Sequence, residues 1–182
     1  MSDDGSIYVA DTHNHRVMKW EPDASTGRVV AGNGIAGDHS DQFNHVTSIV
    51  IHKNGTMFMC DAVNRRVQRW FPNDHHGQTI IANIECWGLA MDLEESLYIT
   101  HYTQPRVTKW PGNEEVAGGN GVGSALNQFS LLHHFFVDGE RSIFVADYNN
   151  HRVMKWSVGA KEGIVVAGGN GAGDDIDRKS VV

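Results

Sequence analysis

The sequence predicts an all-β fold: a β-propeller of four-stranded antiparallel blades, built from four repeats and left as an incomplete, open ring. Three observations carry this. The stretch SIYVADTHNHRVMKW, from Ser6 to Trp20, returns as SIFVADYNNHRVMKW, from Ser142 to Trp156, with three differences. The same frame recurs as TMFMCDAVNRRVQRW from Thr56 to Trp70 and, more worn, as SLYITHYTQPRVTKW from Ser96 to Trp110. Its closing tryptophans, Trp20, Trp70, Trp110 and Trp156, lie 50, 40 and 46 residues apart, the period of a supersecondary unit larger than a helix pair.

A second frame sits between these: VVAGNGIAGD from Val29, EVAGGNGVGS from Glu115 and VVAGGNGAGD from Val165, with TIIANIECWG from Thr79 as the degenerate copy. Within a unit the apolar residues alternate or run in short blocks rich in Val, Ile, Phe and Tyr, bounded by Gly, Asn, Asp and Pro, which is the pattern of strands. In the second unit TSIVIH is one strand, GTMFMCD the next, RRVQRW a third and QTIIAN a fourth. Asn54 and Gly55 between the first two are a hairpin signal, since both tolerate positive φ. No helix is expected. The whole chain, 1–182, reads as one propeller region with blade units at roughly 1–37, 38–84, 85–123 and 124–173, and 174–182 leading toward a next blade.

Composition narrows the function classes. An apolar share of 40% with 20% charged is globular. Fifteen basic against 22 acidic residues give a net charge of −7, which disfavours nucleic acid or anionic lipid as the dominant partner. Cys60 and Cys86 are too few for a disulfide framework and show no zinc spacing; Cys60 holds the place of Ala10 and Ala146 and reads as a small core residue. MSDDGSIYVA has no basic segment ahead of an apolar run, and no apolar stretch is long enough to span a bilayer, so a soluble chain, cytoplasmic by default, is expected.

Between the second and third strands the units share Asp-x-x-Asn-x-Arg-Val: Asp11, Asn14, Arg16; Asp61, Asn64, Arg66; and Asp147, Asn150, Arg152. The third unit departs, with His101 and Gln104 in the Asp and Asn places and Arg106 kept. This pattern resembles the NHL repeat over nearly the whole chain. The resemblance implies a propeller, usually a ring of about six blades. It also points to unlike activities: substrate choice behind RING-type ubiquitin ligases, RNA binding in some tripartite-motif proteins, and metal-dependent amidating lyases. Two cysteines cannot supply the ligands of a RING.

Local physics gives the motif a structural role. The Asp accepts backbone N–H groups of the following turn, the Asn takes the left-handed region, and the Arg pairs with the carboxylate, making a clasp. The closing tryptophans are expected to pack between blades.

By register, the first unit begins after most of an inner strand and the last stops before one. Four blades lacking an inner strand are expected to form an open arc that self-associates through its ends, with the strand around Ile7–Ala10 in the least stable blade. The loops after the second strands and the starts of the inner strands should share one end of the blades. They carry a candidate binding face of His13, His15, Arg65, Trp87, His101, Tyr102, Arg106, His133, Tyr148, Asn149 and His151, beside Thr47 and His134. Adjacent residues on a strand face opposite ways, so at most one of His133 and His134 reaches a central channel, and neither metal nor cofactor is expected. The favoured reading is a non-catalytic protein- or peptide-binding scaffold, with RNA binding or a lyase-like metal enzyme as alternatives.

Overall fold

The computed structural model describes residues 4–172. The chain divides into two compact units, Met1–Leu89 and Ala90–Val182, with the boundary inside β8. In the first unit β1 (Ile7–Asp11), β2 (Arg16–Trp20) and β3 (Arg28–Ala31) form a three-stranded sheet, and β4 (Val46–Ile51), β5 (Met57–Asp61), β6 (Arg66–Trp70) and β7 (Gln78–Ala82) a four-stranded one. The third sheet takes β8 (Cys86–Met91), β9 (Leu97–His101), β10 (Arg106–Trp110) and β11 (Glu114–Gly118). The fourth takes β12 (Leu132–Val137), β13 (Ile143–Asp147), β14 (Arg152–Trp156) and β15 (Ile164–Gly168). Each sheet is an antiparallel meander in chain order, the expected class of an incomplete β-propeller. Residues 174–182, expected to lead toward a next blade, lie outside the described residues.

The sheets repeat even in their irregularities. The pairing of each third strand with the outermost one slips at the same place, after Val17, Val67, Val107 and Val153. Such a bulge bends the strand beside the motif valine, which is fully buried at Val17, Val67 and Val107 and half-buried at Val153. Two short 3-10 turns, Thr12–Asn14 and Tyr148–Asn150, stand where no helix was expected. At the Asn54–Gly55 turn only Gly55 is left-handed, at φ 83°, while the Asn54 side chain accepts Thr56 N–H at 2.9 Å.

Alternation of side chains on each strand gives every sheet two faces. In the first unit Tyr8, Ala10, Val17 and Ala31 of one sheet pack on Met57, Met59 and Trp70 of the next. In the second unit Tyr98, Val107 and Ala117 pack in the same way on Val145, Met154 and Trp156. Trp70 lies 5.6 Å from Phe43 and Trp156 lies 4.8 Å from Phe129, ring centre to ring centre, both tryptophans fully buried as expected, whereas Trp20 and Trp110 are only half-buried.

The clasp forms with a different wiring from the one expected. Asp147 Oδ2 accepts Asn150 Nδ2 and Arg152 Nε, each at 2.8 Å, while Oδ1 accepts the backbone N–H of Ser130 at 2.8 Å. Asp61 repeats this with Asn64, Arg66 and the Asn44 N–H. The backbone donor thus comes from the loop before the inner strand, not from the following turn. The Arg ends reach that loop as well: Arg152 donates to the carbonyls of Ser124, Ala125 and Gln128, and Arg66 to those of Asp38, His39 and Gln42. The left-handed residue is the one after the Asn, at His15, Arg65 and His151 (φ 51°, 53° and 50°). The chain leaving the outermost strand closes on its carbonyl. A Cβ on Gly32, itself at φ 81°, would lie 2.6 Å from the His15 oxygen, which excludes other residues there.

The third repeat has no clasp and a short approach. Only three residues join β7 to β8, against fourteen between β3 and β4 and thirteen between β11 and β12. Here Cys60 on β5 and Cys86 at the start of β8 form a disulfide, with Cα atoms 5.9 Å apart. Cys60 is buried as expected, but it is a cross-link and not merely a small core residue. The pairing was not legible in the sequence, because a separation of 26 residues says nothing of which strands lie side by side.

Two tests follow from this wiring. Asp61→Ala and Asp147→Ala, which leave a buried guanidinium without its carboxylate, should each cost about 3–5 kcal/mol in denaturant unfolding. Asp11→Ala should cost much less than either, because the Asp11–Arg16 pair is exposed to 25% and 36% and screened by solvent. Equal losses at all three sites would refute the clasp. Replacing Cys60 by Ala and Cys86 by Val, the residues at Ala10 and Val46 in sister repeats, should cost about 3 kcal/mol against the oxidised protein, and reduction of the wild type should lower its Tm in the same direction.

Candidate functional site

In each unit the turn after the second strand is hydrogen-bonded to the start of an inner strand, which brings the loop residues together. Ala62 N and Val63 N donate to His45 O and Asn44 O, each at 3.1 Å, and Tyr148 N donates to Leu131 O at 2.8 Å. Thr12 Oγ1 donates to Val46 O and Thr47 Oγ1 to Trp87 O, both at 2.7 Å. These bonds hold short polar side chains against backbone and leave the longer ring-bearing ones to form the surface.

Two clusters result, one per unit. In the first, the His13 ring meets His45 edge-on at 5.7 Å, and His45 lies 6.5 Å from Trp87. His45 was not among the sequence candidates; its one signal was a histidine immediately before an inner strand, in the place of Leu131, and the structure sets it at φ 74°. In the second, Tyr148 stacks on His133 at 4.5 Å with planes 11° apart, and Tyr148 keeps 40% of its surface exposed. Asn149 Nδ2 donates to Ser130 Oγ at 3.2 Å beside them, and His134 lies 6.4 Å from His133.

The remaining candidates do other things. His15, Arg65 and His151 occupy the left-handed position of the turns, and Arg65 pairs with Glu85 at 3.3 Å. Arg106 donates to Gln104 Oε1 at 2.7 Å and lies 4.0 Å from Glu115, so its charge is shared on the surface. Tyr102 is exposed in the third repeat's turn. His101 does not join the surface. It is buried, with Nε2 at 2.9 Å from Thr108 Oγ1, because it replaces the clasp carboxylate and inherits that inward position. Burial, and secondarily the charge of Arg106, push its pKa from about 6.5 down to about 4.

The two clusters offer ring faces, imidazole nitrogens and an amide, the chemistry that stacks on and hydrogen-bonds to peptide. Among the described residues no three His, Cys, Asp or Glu side chains are grouped to hold a metal ion, and no helix is long and apolar enough to cross a membrane.

Comparison with known proteins agrees with the fold. Residues 1–20 match the NHL repeat family. No curated protein matches the sequence. Among solved structures the chain is similar to a streptogramin B lyase, with TM-score 0.58, 9% identity, and coverage of 85% of this chain and 48% of that one. It is also similar to the virginiamycin B lyase of Staphylococcus aureus, with TM-score 0.60, 8% identity, and coverage of 91% and 52%. A catalytically inactive variant of that lyase with quinupristin gives 0.59, 9%, 91% and 53%. The chain spans about half the length of these structures, and identities this low speak for the fold alone. Together the match and the fold support an NHL-repeat β-propeller.

His101 makes a pH prediction. Its folded pKa is depressed, so between about pH 4 and 6.5 the unfolded chain binds the proton that the folded chain refuses. Stability from this group is complete above about pH 6.5 and is lost as pH falls toward 4. Wild type should lose roughly 1–3 kcal/mol more than His101→Gln between pH 7 and pH 4. Parallel stability–pH curves for the two proteins would show that His101 is not held neutral by burial.

Proposed function

We propose that this protein is a non-catalytic scaffold that binds a protein or peptide through the loop end of its sheets. The observation that carries the reading is the Tyr148–His133 stack, a fixed aromatic platform at 4.5 Å with Asn149 at its side. An aromatic pair already held in place loses little conformational freedom on binding, which is how a few residues come to dominate an interface. Selection of substrates for a ubiquitin ligase is the finer form of this reading, suggested by the resemblance to propellers that follow RING modules. RNA fits less well: net charge is −7, and the loop cations Arg65 and Arg106 face Glu85 and Glu115. The lyase activity named for the similar structures belongs to those proteins.

The test is selection of ligands from a peptide library on the immobilised protein, followed by titration of the best sequence. Tyr148→Ala and His133→Ala should each weaken binding by about tenfold or more, with the melting temperature retained. Leu93→Ser, on an exposed turn between β8 and β9, should leave binding unchanged. Enrichment of peptides indifferent to Tyr148 and His133, or of single-stranded RNA in a parallel selection, would overturn the reading.

A further inference from the structure

The turn between β4 and β5 is closed differently from two of its sisters, and the difference falls on one amide. In the third and fourth repeats the aspartate that begins the turn closes it. Asp92 Oδ1 accepts the N–H groups of Glu94 and Ser96 at 3.0 and 2.9 Å, and Asp138 Oδ1 those of Glu140 and Ser142 at 2.9 and 2.8 Å. In the second repeat His52 holds that place, and its Nδ1 accepts the Asn54 N–H at 3.4 Å. The Thr56 N–H goes instead to Asn54 Oδ1, at 2.9 Å. The turn ahead of β1 makes the same closure with an acid: Ser6 N–H donates to Asp4 Oδ1 at 2.9 Å, and Gly5 at φ 79° matches Gly55 at φ 83°. An oxygen at this place is a demand of the fold; the amide nitrogen of Asn54 is not.

Four observations give that nitrogen a use. Asn54-Gly55-Thr56 is the one Asn-x-Ser/Thr tripeptide in the 182 residues, the acceptor pattern for N-linked glycans. Asn54 is exposed at the tip of a hairpin, at an end of its sheet and outside the stacked faces. The bond from Thr56 N–H to Asn54 Oδ1 folds the tripeptide into an Asx turn, and a hydrogen bond received by the amide oxygen favours the form in which Nδ2 gives up a proton. Finally, Cys60 and Cys86, at most 1% exposed, are joined in a disulfide, and disulfides form and persist on the secretory route, where N-linked glycans are added. We infer that Asn54 is an N-glycosylation site. In the transfer Nδ2 bonds to the anomeric carbon of a polyprenyl-diphosphate-linked oligosaccharide. The bond from that carbon to the diphosphate oxygen breaks, the diphosphate leaves with the electron pair, and one amide proton passes to base. Thr56 is 4% exposed in the finished fold, so the transfer precedes packing; an Asx turn between residues two apart is open to the unpacked chain. The register from Val46↔Asp61 to Ile51↔Met57 puts Asn54 at the opposite end of β4 and β5 from the 62–65 turn, so the glycan stands clear of the His13, His45 and Trp87 rings. A glycosylated chain keeps the peptide-binding reading and loses its ligase form, since ubiquitin is attached in the cytosol.

The experiment has two arms. In protein isolated from its own cells, mass spectrometry of the intact peptide containing Asn54 should show an attached oligosaccharide, which separates the modification from spontaneous Asn-Gly deamidation. Expressed through the secretory pathway of a eukaryotic cell, the 182-residue chain should run as a heavier species that peptide-N-glycosidase collapses. Asn54→Asp, which keeps the closing oxygen as Asp4 does, should abolish the heavier species. The glycosidase itself leaves an aspartate at position 54, so the collapsed wild type and Asn54→Asp should coincide in mass and Tm. Thr56→Ser should keep the heavier species and Thr56→Val should lose it, a readout that stands even where the variant later folds poorly, because transfer comes first. A bare Asn54 in the protein from its own cells, a secreted wild type that stays bare, or a heavier species that survives Asn54→Asp would each overturn the inference.

Discussion

The architecture depends on one shared oxygen. In the second and fourth repeats a single carboxylate oxygen takes both the Asn amide and the Arg Nε, while the other oxygen takes a backbone N–H from the loop ahead of the inner strand. The Arg then spends its remaining donors on carbonyls of that same loop. A loop of this length carries many backbone groups, and buried ones must be paired. The clasp pairs them with a side chain whose charge is itself neutralised. It fixes two things at once: the turn after the second strand, and the path by which the chain enters the blade. The loop ends of the second and fourth sheets are held for that reason.

The third repeat shows what happens when the clasp is absent. With His101 in place of the carboxylate there is no anion to hold an arginine inward, and the fourteen-residue approach found before β4 is cut to three before β8. A short approach needs no loop clasp, but it does need the strand start to be anchored. Cys86 stands where Val46 and Leu132 begin their inner strands, and its bond to Cys60 supplies that anchor covalently. The substitution of a disulfide for a hydrogen-bonded network makes this part of the fold sensitive to the redox state of its surroundings, which the other repeats are not.

Much of this was legible in the sequence. The four Trp-terminated frames gave the sheets, and Asp147, Asn150 and Arg152 declared a clasp, because repetition at a fixed period is a long-range signal that single-strand patterns lack. The partners were not legible. That Asp147 reaches Ser130 N–H, or that Cys60 faces Cys86, depends on which loop lies against which turn, and separation along the chain does not encode it. The candidate site divided along the same line. Tyr148 and His133, 15 residues apart, stack because their elements share backbone hydrogen bonds. His45 escaped notice for want of any repeat partner, and His101 was misplaced because a histidine in a loop motif reads as surface until the burial of its sister carboxylates is seen.

The turn residues that differ between the first and fourth repeats are the ones that take no part in the clasp. Positions 11, 14 and 16 of the first frame and their sisters are held by the clasp, and the left-handed residue after the Asn is held by its φ. Between them the turn leaves two sites outside the clasp, Thr12 and His13 in one copy and Tyr148 and Asn149 in another. The fifteen-residue frames of the first and fourth repeats differ at only three positions, and two of the three are these. Variation confined to the tip of a clasped turn changes what the loop end presents without disturbing how the blade is built. That separation of frame from presented residues is the physical basis on which a propeller with no fixed chemistry can be adapted to a particular ligand.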